Sequence, residues 1–186
     1  MKTPKFFTLT RLISIAVMTA LAVFGRIAFA AIPNFKPTLA IVILAGMALG
    51  SASGGVVGAM AALLSNFYFG QGIWTPVQMF AMAICGILAG LLTKCKFLKK
   101  LWEILLFGLM SAFLYGMIMD TWHVLCFVRP LQKSAVLTAL LASIPFNATH
   151  ALATVLFLGL FAMPFLRRLE RILEKYGDLE PTPDRP

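Results

Sequence analysis

Between two apolar runs lies the stretch Ser65-Asn66-Phe67-Tyr68-Phe69-Gly70-Gln71-Gly72-Ile73-Trp74-Thr75-Pro76-Val77-Gln78, built from amides, aromatic rings and glycines without a formal charge. Such side chains recognise an uncharged or zwitterionic molecule by hydrogen bonding and stacking. Small-molecule sites are usually apolar pockets with a few placed polar groups. Asn66, Tyr68, Gln71, Trp74 and Gln78 are therefore the first candidates for ligand contact. The same stretch also reads as an interfacial turn, in which Trp74 and Tyr68 anchor at headgroup level. Outside it, ionisable groups are sparse. Arg26 and Asp120 lie in apolar surroundings, where charge is costly, so they either pair with each other or both face a ligand. His123 follows Trp122 in a segment expected to be an outer loop; it is either a metal ligand or a hydrogen-bonded loop histidine. Asn147 and His150 fall one turn apart on one helix face, His150 in an inter-helix role and Asn147 open. Tyr115 and Met119 are either cavity wall or core. No residues have catalytic or metal-ligand spacing, and Cys85, Cys95 and Cys126 are scattered as packing cysteines are.

The elements that must position these residues are membrane helices. The 186 residues are 60% hydrophobic and only 12% charged, about half the charge of a soluble domain. Mean hydropathy is +0.90. The net charge of +9 is thus a matter of topology, since no basic stripe interleaved with aromatics marks a nucleic-acid face. A signal-peptide reading ending at Ala28-Phe29-Ala30 is disfavoured by Arg26 just before it. Spans are expected near 10–31, 38–50, 54–67, 74–93, 101–120 and 134–166, with a break at Ser51-Ala52-Ser53-Gly54-Gly55. Charge decides for that break. With six spans, Lys2, Lys5, Arg11, Lys94, Lys96, Lys99, Lys100, Arg167, Arg168, Arg171, Lys175 and Arg185 share one side, twelve of the 16 basic residues. The positive-inside rule then places both termini in the cytoplasm. Loops 32–37, 66–73 and 121–133 face outward. The expected fold is an all-α integral membrane protein, a six-transmembrane-helix bundle. Small residues four apart (Gly46 and Gly50, Gly54 and Gly58, Gly86 and Gly90) are expected to pack helices closely. From Phe165 to Tyr176 the last span continues as a basic amphipathic helix, stopped by Gly177.

Six spans, cytoplasmic ends, fewer than 200 residues and Ala16-Val17-Met18-Thr19-Ala20 in the first span give the chain a resemblance to a known family. It resembles the substrate-capture (S) component of an energy-coupling factor vitamin transporter. The segment from Asn66 to Gln78 is similar to the corresponding loop of cobalamin-type S-components. The resemblance implies a multi-pass protein of a bacterial cell membrane, with residues 1–176 as a substrate-binding membrane domain and 177–186 as a disordered cytoplasmic tail. It implies capture of vitamin B12 (cobalamin) or a related corrinoid from outside, with another vitamin or a queuosine precursor as alternative cargo. The implied partners are a transmembrane T-component and two ATPases, and Ala16 and Ala20 would be the docking face. Asn66, Tyr68, Gln71, Trp74, Gln78, Asp120 and His123 would contact the cargo. No cofactor, metal or enzymatic step is implied. A membrane enzyme built on Asp120, His123 and His150 is disfavoured by the lack of ligand spacing such as H-E-x-x-H. A lone channel is disfavoured by the lack of a charged or repeated pore lining.

Overall fold

The computed structural model describes residues 9–175, which form six α-helices: α1 Leu9–Ala28, α2 Thr38–Leu49, α3 Ser51–Phe69, α4 Thr75–Lys94, α5 Leu101–Phe127 and α6 Lys133–Lys175. No strand occurs among the described residues. The expected C-terminal tail lies outside them. Five helices are long and apolar enough to cross a membrane. The sixth, α2, has 12 residues and spans about 18 Å at 1.5 Å per residue. The chain is an all-α integral membrane bundle, and α2 is its centre. Apart from Ile41 every α2 residue is buried, as befits a helix that is apolar all round.

Neighbouring helices alternate in direction. At one end of α1 the Arg11 guanidinium donates to the Leu49 carbonyl, and its Nε donates to Ser53 Oγ at 3.0 Å. Towards the other end, Thr38 Oγ1 donates to the Ala22 carbonyl at 3.3 Å. Helices α1 and α2 are therefore antiparallel. Gly90 lies against Ser51 while Asn66 meets Thr75 and Gln78, so α3 and α4 are too. Gly108 against Leu158 and Gly116 against Asn147 set α5 antiparallel to α6. This alternation gathers Arg11, the loop from Lys94 to Lys100 and the α6 arginines at one end. The positive-inside rule assigns that end to the cytoplasm.

The expected break after the second span shrinks to one residue. Gly50 separates α2 from α3 at φ 88°, ψ 168°, a conformation essentially reserved for glycine. Ser51 to Gly55, expected to form the break, are helical. Gly54 is spent on contact: a Cβ there would lie 2.6 Å from the Gly86 carbonyl oxygen, and one on Gly86 would lie 2.5 Å from the Gly54 carbonyl carbon. A Cβ on Gly90 would lie 2.5 Å from Ser51 Cα. The small-residue pairs thus let α2, α3 and α4 meet backbone to backbone.

Two outer loops are shorter than expected. Helix α5 continues to Phe127 and leaves only residues 128–132 as loop, so Trp122 and His123 are helical. Nothing before Pro130 breaks the i to i−4 ladder there. Helix α3 runs to Phe69 and ends at Gly70, φ 101°, so Asn66 is a helix residue. Helix α1 stops at Ala28, three residues before the expected end.

Candidate functional site

At the outer end, α1, α4, α5, α6 and the first loop enclose a cavity of about 440 Å³. Each wall has its own chemistry. The α1 wall carries Arg26, in the last turn of its helix. Its Nη1 donates to Ser65 Oγ at 2.6 Å and to Asn66 Oδ1 at 2.9 Å, and the guanidinium lies 4.8 Å from the centroid of the Phe69 ring, within cation–π range. Asn66 is buried and passes the network on: its Nδ2 donates to Thr75 Oγ1 at 3.0 Å and to Gln78 Oε1 at 2.7 Å. An arginine in apolar surroundings is thus held by neutral acceptors on α3, which α4 in turn supports.

The loop between α1 and α2 brings Asn34 and Lys36 into the cavity wall. Phe29, Phe35 and Phe157 pin this loop to α6, with ring centroids 5.2 to 5.9 Å apart. Asn34 takes the left-handed conformation at φ 58°, which asparagine tolerates, and its Nδ2 donates to the Phe146 carbonyl at 3.4 Å. Lys36 Nζ donates to Asn34 Oδ1 at 3.5 Å. Burial first, and the neighbouring Arg26 guanidinium second, pull the Lys36 ammonium down to about 7.

The α5–α6 wall is acidic and amide-bearing. Asp120 Oδ2 accepts from Ser143 Oγ at 2.8 Å and from Asn147 Nδ2 at 2.7 Å. Gly116 makes room for this, since a Cβ there would lie 2.7 Å from Asn147 Oδ1. Tyr115, Met119 and His123 line the same cavity. His123 rests 5.4 Å from the Phe127 ring, centroid to centroid. One turn below Asn147, His150 is buried against the Tyr115 ring at 5.1 Å. Among the described residues no side chain hydrogen-bonds its ring nitrogens.

Of the residues singled out in the sequence, Gln78, Asp120 and His123 line the cavity, and Arg26, Tyr115, Met119 and Asn147 join them. Arg26 and Asp120 share it without pairing with each other: one is held by Ser65 and Asn66, the other by Ser143 and Asn147. The other members of the amide-aromatic stretch are placed elsewhere. Asn66 belongs to the buried network. Gln71 Nε2 donates to the Leu63 carbonyl at 3.0 Å. Tyr68 is 65% exposed, and Trp74 folds over Gly72. Asn34, Lys36 and Ser143 escaped sequence reasoning. Their only signals were a lysine between Pro33 and Pro37, and a Ser143–Asn147 pair one turn apart across Pro145. Ala16 and Ala20 are exposed on the outer face of α1, among exposed Leu12, Ile13, Val17, Leu21 and Phe24. Among the described residues, no three His, Cys, Asp or Glu side chains come together as a metal site would need.

A polar cavity sunk into the outer end of a small apolar bundle, opposite the basic end, suits capture of a solute. Comparison with curated proteins finds no match. Residues 6–170 match the family described as ECF-type riboflavin transporter, S component, and the chain belongs to that family.

Proposed function

We propose that the outer cavity captures a vitamin from outside the cell, for import driven by a T-component and two ATPases. As a member of its family the protein is the substrate-binding subunit of such a transporter and not an enzyme. The observation that carries the reading is the cavity itself: about 440 Å³, with Arg26, Lys36, Gln78, Asp120 and Asn147 converging in an otherwise apolar bundle. Its volume lies in the range of roughly 300–1,000 Å³ common to small-molecule sites. The exposed face of α1 around Ala16 and Ala20 supports docking on the T-component. Two side chains no larger than methyl leave room there for a partner helix.

Two cargoes have specific support. Riboflavin is named by the family, and a single fused-ring vitamin suits the cavity volume. Cobalamin or a related corrinoid is favoured by the similarity of residues 66–78 to cobalamin-type S-components. Phe67 and Tyr68, 72% and 65% exposed beside the outer end, offer a surface for the part of a corrinoid that the cavity would not enclose. Calorimetric titration of the detergent-solubilised protein with riboflavin and with cyanocobalamin tests both. Tight, saturable binding of one, weakened at least tenfold by Asp120→Ala, is expected. Binding of neither in folded protein would overturn vitamin capture as proposed.

A further inference from the structure

Two cations share the cavity, and among the described residues neither has an acidic partner. Lys36 reaches only Asn34 Oδ1 at 3.5 Å, beyond the usual 2.7–3.2 Å or so of an N–H···O bond. Arg26 spends Nη1 on two neutral acceptors, Ser65 and Asn66, and a guanidinium has five N–H donors to place. Among the described residues the cavity's one carboxylate is Asp120, engaged by Ser143 and Asn147 on the opposite wall. His150 cannot serve as a counter-charge. Buried cations without an acid beside them are unfavourable unless something supplies the missing charge. The cavity opens outward, so the missing charge can arrive with the cargo.

We propose that Lys36 and Arg26 form an anion subsite, so that the captured molecule carries an anionic oxygen group, phosphate ester or carboxylate, set against the α1 wall. This rests on vitamin capture at the same cavity and specifies the class of cargo. Asp120, facing them from α5, is the acceptor for a hydrogen-bond donor at the cargo's other end. A neutral cargo would leave Arg26 uncompensated and let Lys36 lose its proton as pH rises through about 7; an anionic one offsets both and keeps the Lys36 ammonium charged.

That last point gives a signature which a merely structural lysine would lack. Burial and Arg26 hold free Lys36 at about 7, so at pH 8.5 it is mostly neutral. An arriving anion restores the ammonium, and binding takes up a proton. At pH 6.5 the ammonium is already present and uptake is small. Affinity for the anion therefore falls as pH rises through about 7. The titratable and charged groups that share the cavity with Lys36 are Arg26 from α1 and Tyr115, Asp120 and His123 from α5, and its charge also reaches His150 from α6. Helix α4 contributes only the neutral Gln78.

The test is titration calorimetry on the full chain in detergent at pH 6.5 and 8.5, in buffers of different ionisation heat. The probes are three matched pairs: flavin mononucleotide with riboflavin, cobinamide phosphate with cobinamide, and biotin with its primary amide. The first two pairs separate a flavin phosphate from a corrinoid phosphate, and the third reads a carboxylate. The anionic member of one pair is expected to bind roughly ten- to a hundredfold tighter than its partner at pH 6.5, the scale of one charge-assisted hydrogen bond. At pH 8.5 it should bind more weakly and with proton uptake. Lys36→Met should abolish the uptake and most of the preference; Lys36→Arg should keep the preference and lose the pH dependence. Uptake that persists in Lys36→Met and disappears in His123→Gln would overturn the assignment. So would equal binding within every pair, which leaves vitamin capture standing. Binding by none of the six, in protein whose thermal unfolding is intact, would overturn capture at this cavity and the subsite with it.

Discussion

The junction of α2, α3 and α4 makes a quantitative prediction through Gly86. A Cβ placed there would lie 2.5 Å from the Gly54 carbonyl carbon and 3.1 Å from Gly55 N. Both are backbone atoms, and no rotamer change can move them aside. Gly86→Ala must therefore push α3 and α4 apart. Overpacking costs about 1–3 kcal/mol, and a backbone obstacle belongs at the top of that range. Alanine recovers about 1 kcal/mol of helix propensity, leaving a net loss of about 2 kcal/mol. For a chain of this size that lowers Tm by about 4–8 °C. Gly159→Ala is the control. Its Cβ would meet nothing closer than Leu105 Cδ2 at 3.8 Å, so only the propensity gain remains and Tm should hold or rise slightly. Scanning fluorimetry of both variants in one detergent reads the difference. Adding Gly54→Ala to Gly86→Ala should cost less than the sum of the two, because both open the same contact. A Gly86→Ala protein as stable as Gly159→Ala would refute the close packing of these backbones.

Other outcomes follow from the site. Asn66→Ala removes one of the two acceptors of Arg26 and the donor to Thr75 and Gln78; leaving buried groups unsatisfied costs about 1–3 kcal/mol each, so its Tm should fall by several degrees. Gln71→Ala loses one exposed bond to the Leu63 carbonyl, and its Tm should stay within a degree or two of the parent. Asn147→Leu removes a donor from Asp120 Oδ2 and crowds Gly116; titration should show at least tenfold weaker binding. Replacing Ala16 or Ala20 by Trp should leave binding in detergent unchanged and abolish uptake by cells that carry the T-component and ATPases. Equal loss of binding would place that face in the bundle's own packing.

Much of the fold was legible because membrane helices obey coarse rules. Apolar length and the sidedness of lysine and arginine were enough to give six helices and to choose a break near residue 50. The residues around that break were misread. Gly54 and Gly55 look like helix breakers, but Gly54 faces the Gly86 backbone and Gly55 the Ile87 side chain, and Gly50 alone makes the turn. Composition cannot distinguish a glycine used for its backbone freedom from one used for its missing side chain. The site was only partly legible, for a related reason. An amide is equally suited to recognising a solute and to satisfying a buried arginine, and only the third dimension says which demand reaches it first.

For Asn66 that demand comes from Arg26. The guanidinium sits in the last turn of α1, where it favours the negative end of the helix, but among the described residues it reaches no carboxylate and must be solvated by protein. Ser65 and Asn66 supply the oxygens, and Asn66 can hold its position only because Thr75 and Gln78 accept its two N–H groups. The uncharged stretch is thus tied to the charge of α1. Four amide and hydroxyl side chains hold one arginine at the rim of a cavity whose other cation, Lys36, comes from a loop pinned by aromatic rings. The consequence can be measured. Arg26→Met should release Asn66 and lower Tm by several degrees, and it should weaken an anionic cargo more than its neutral counterpart. Arg26→Lys offers one point charge in place of a planar fork and should recover the cargo preference better than the stability. If it recovered the stability fully and the preference not at all, the arginine would be a packing device, and the α1 wall would have no part in choosing what is carried.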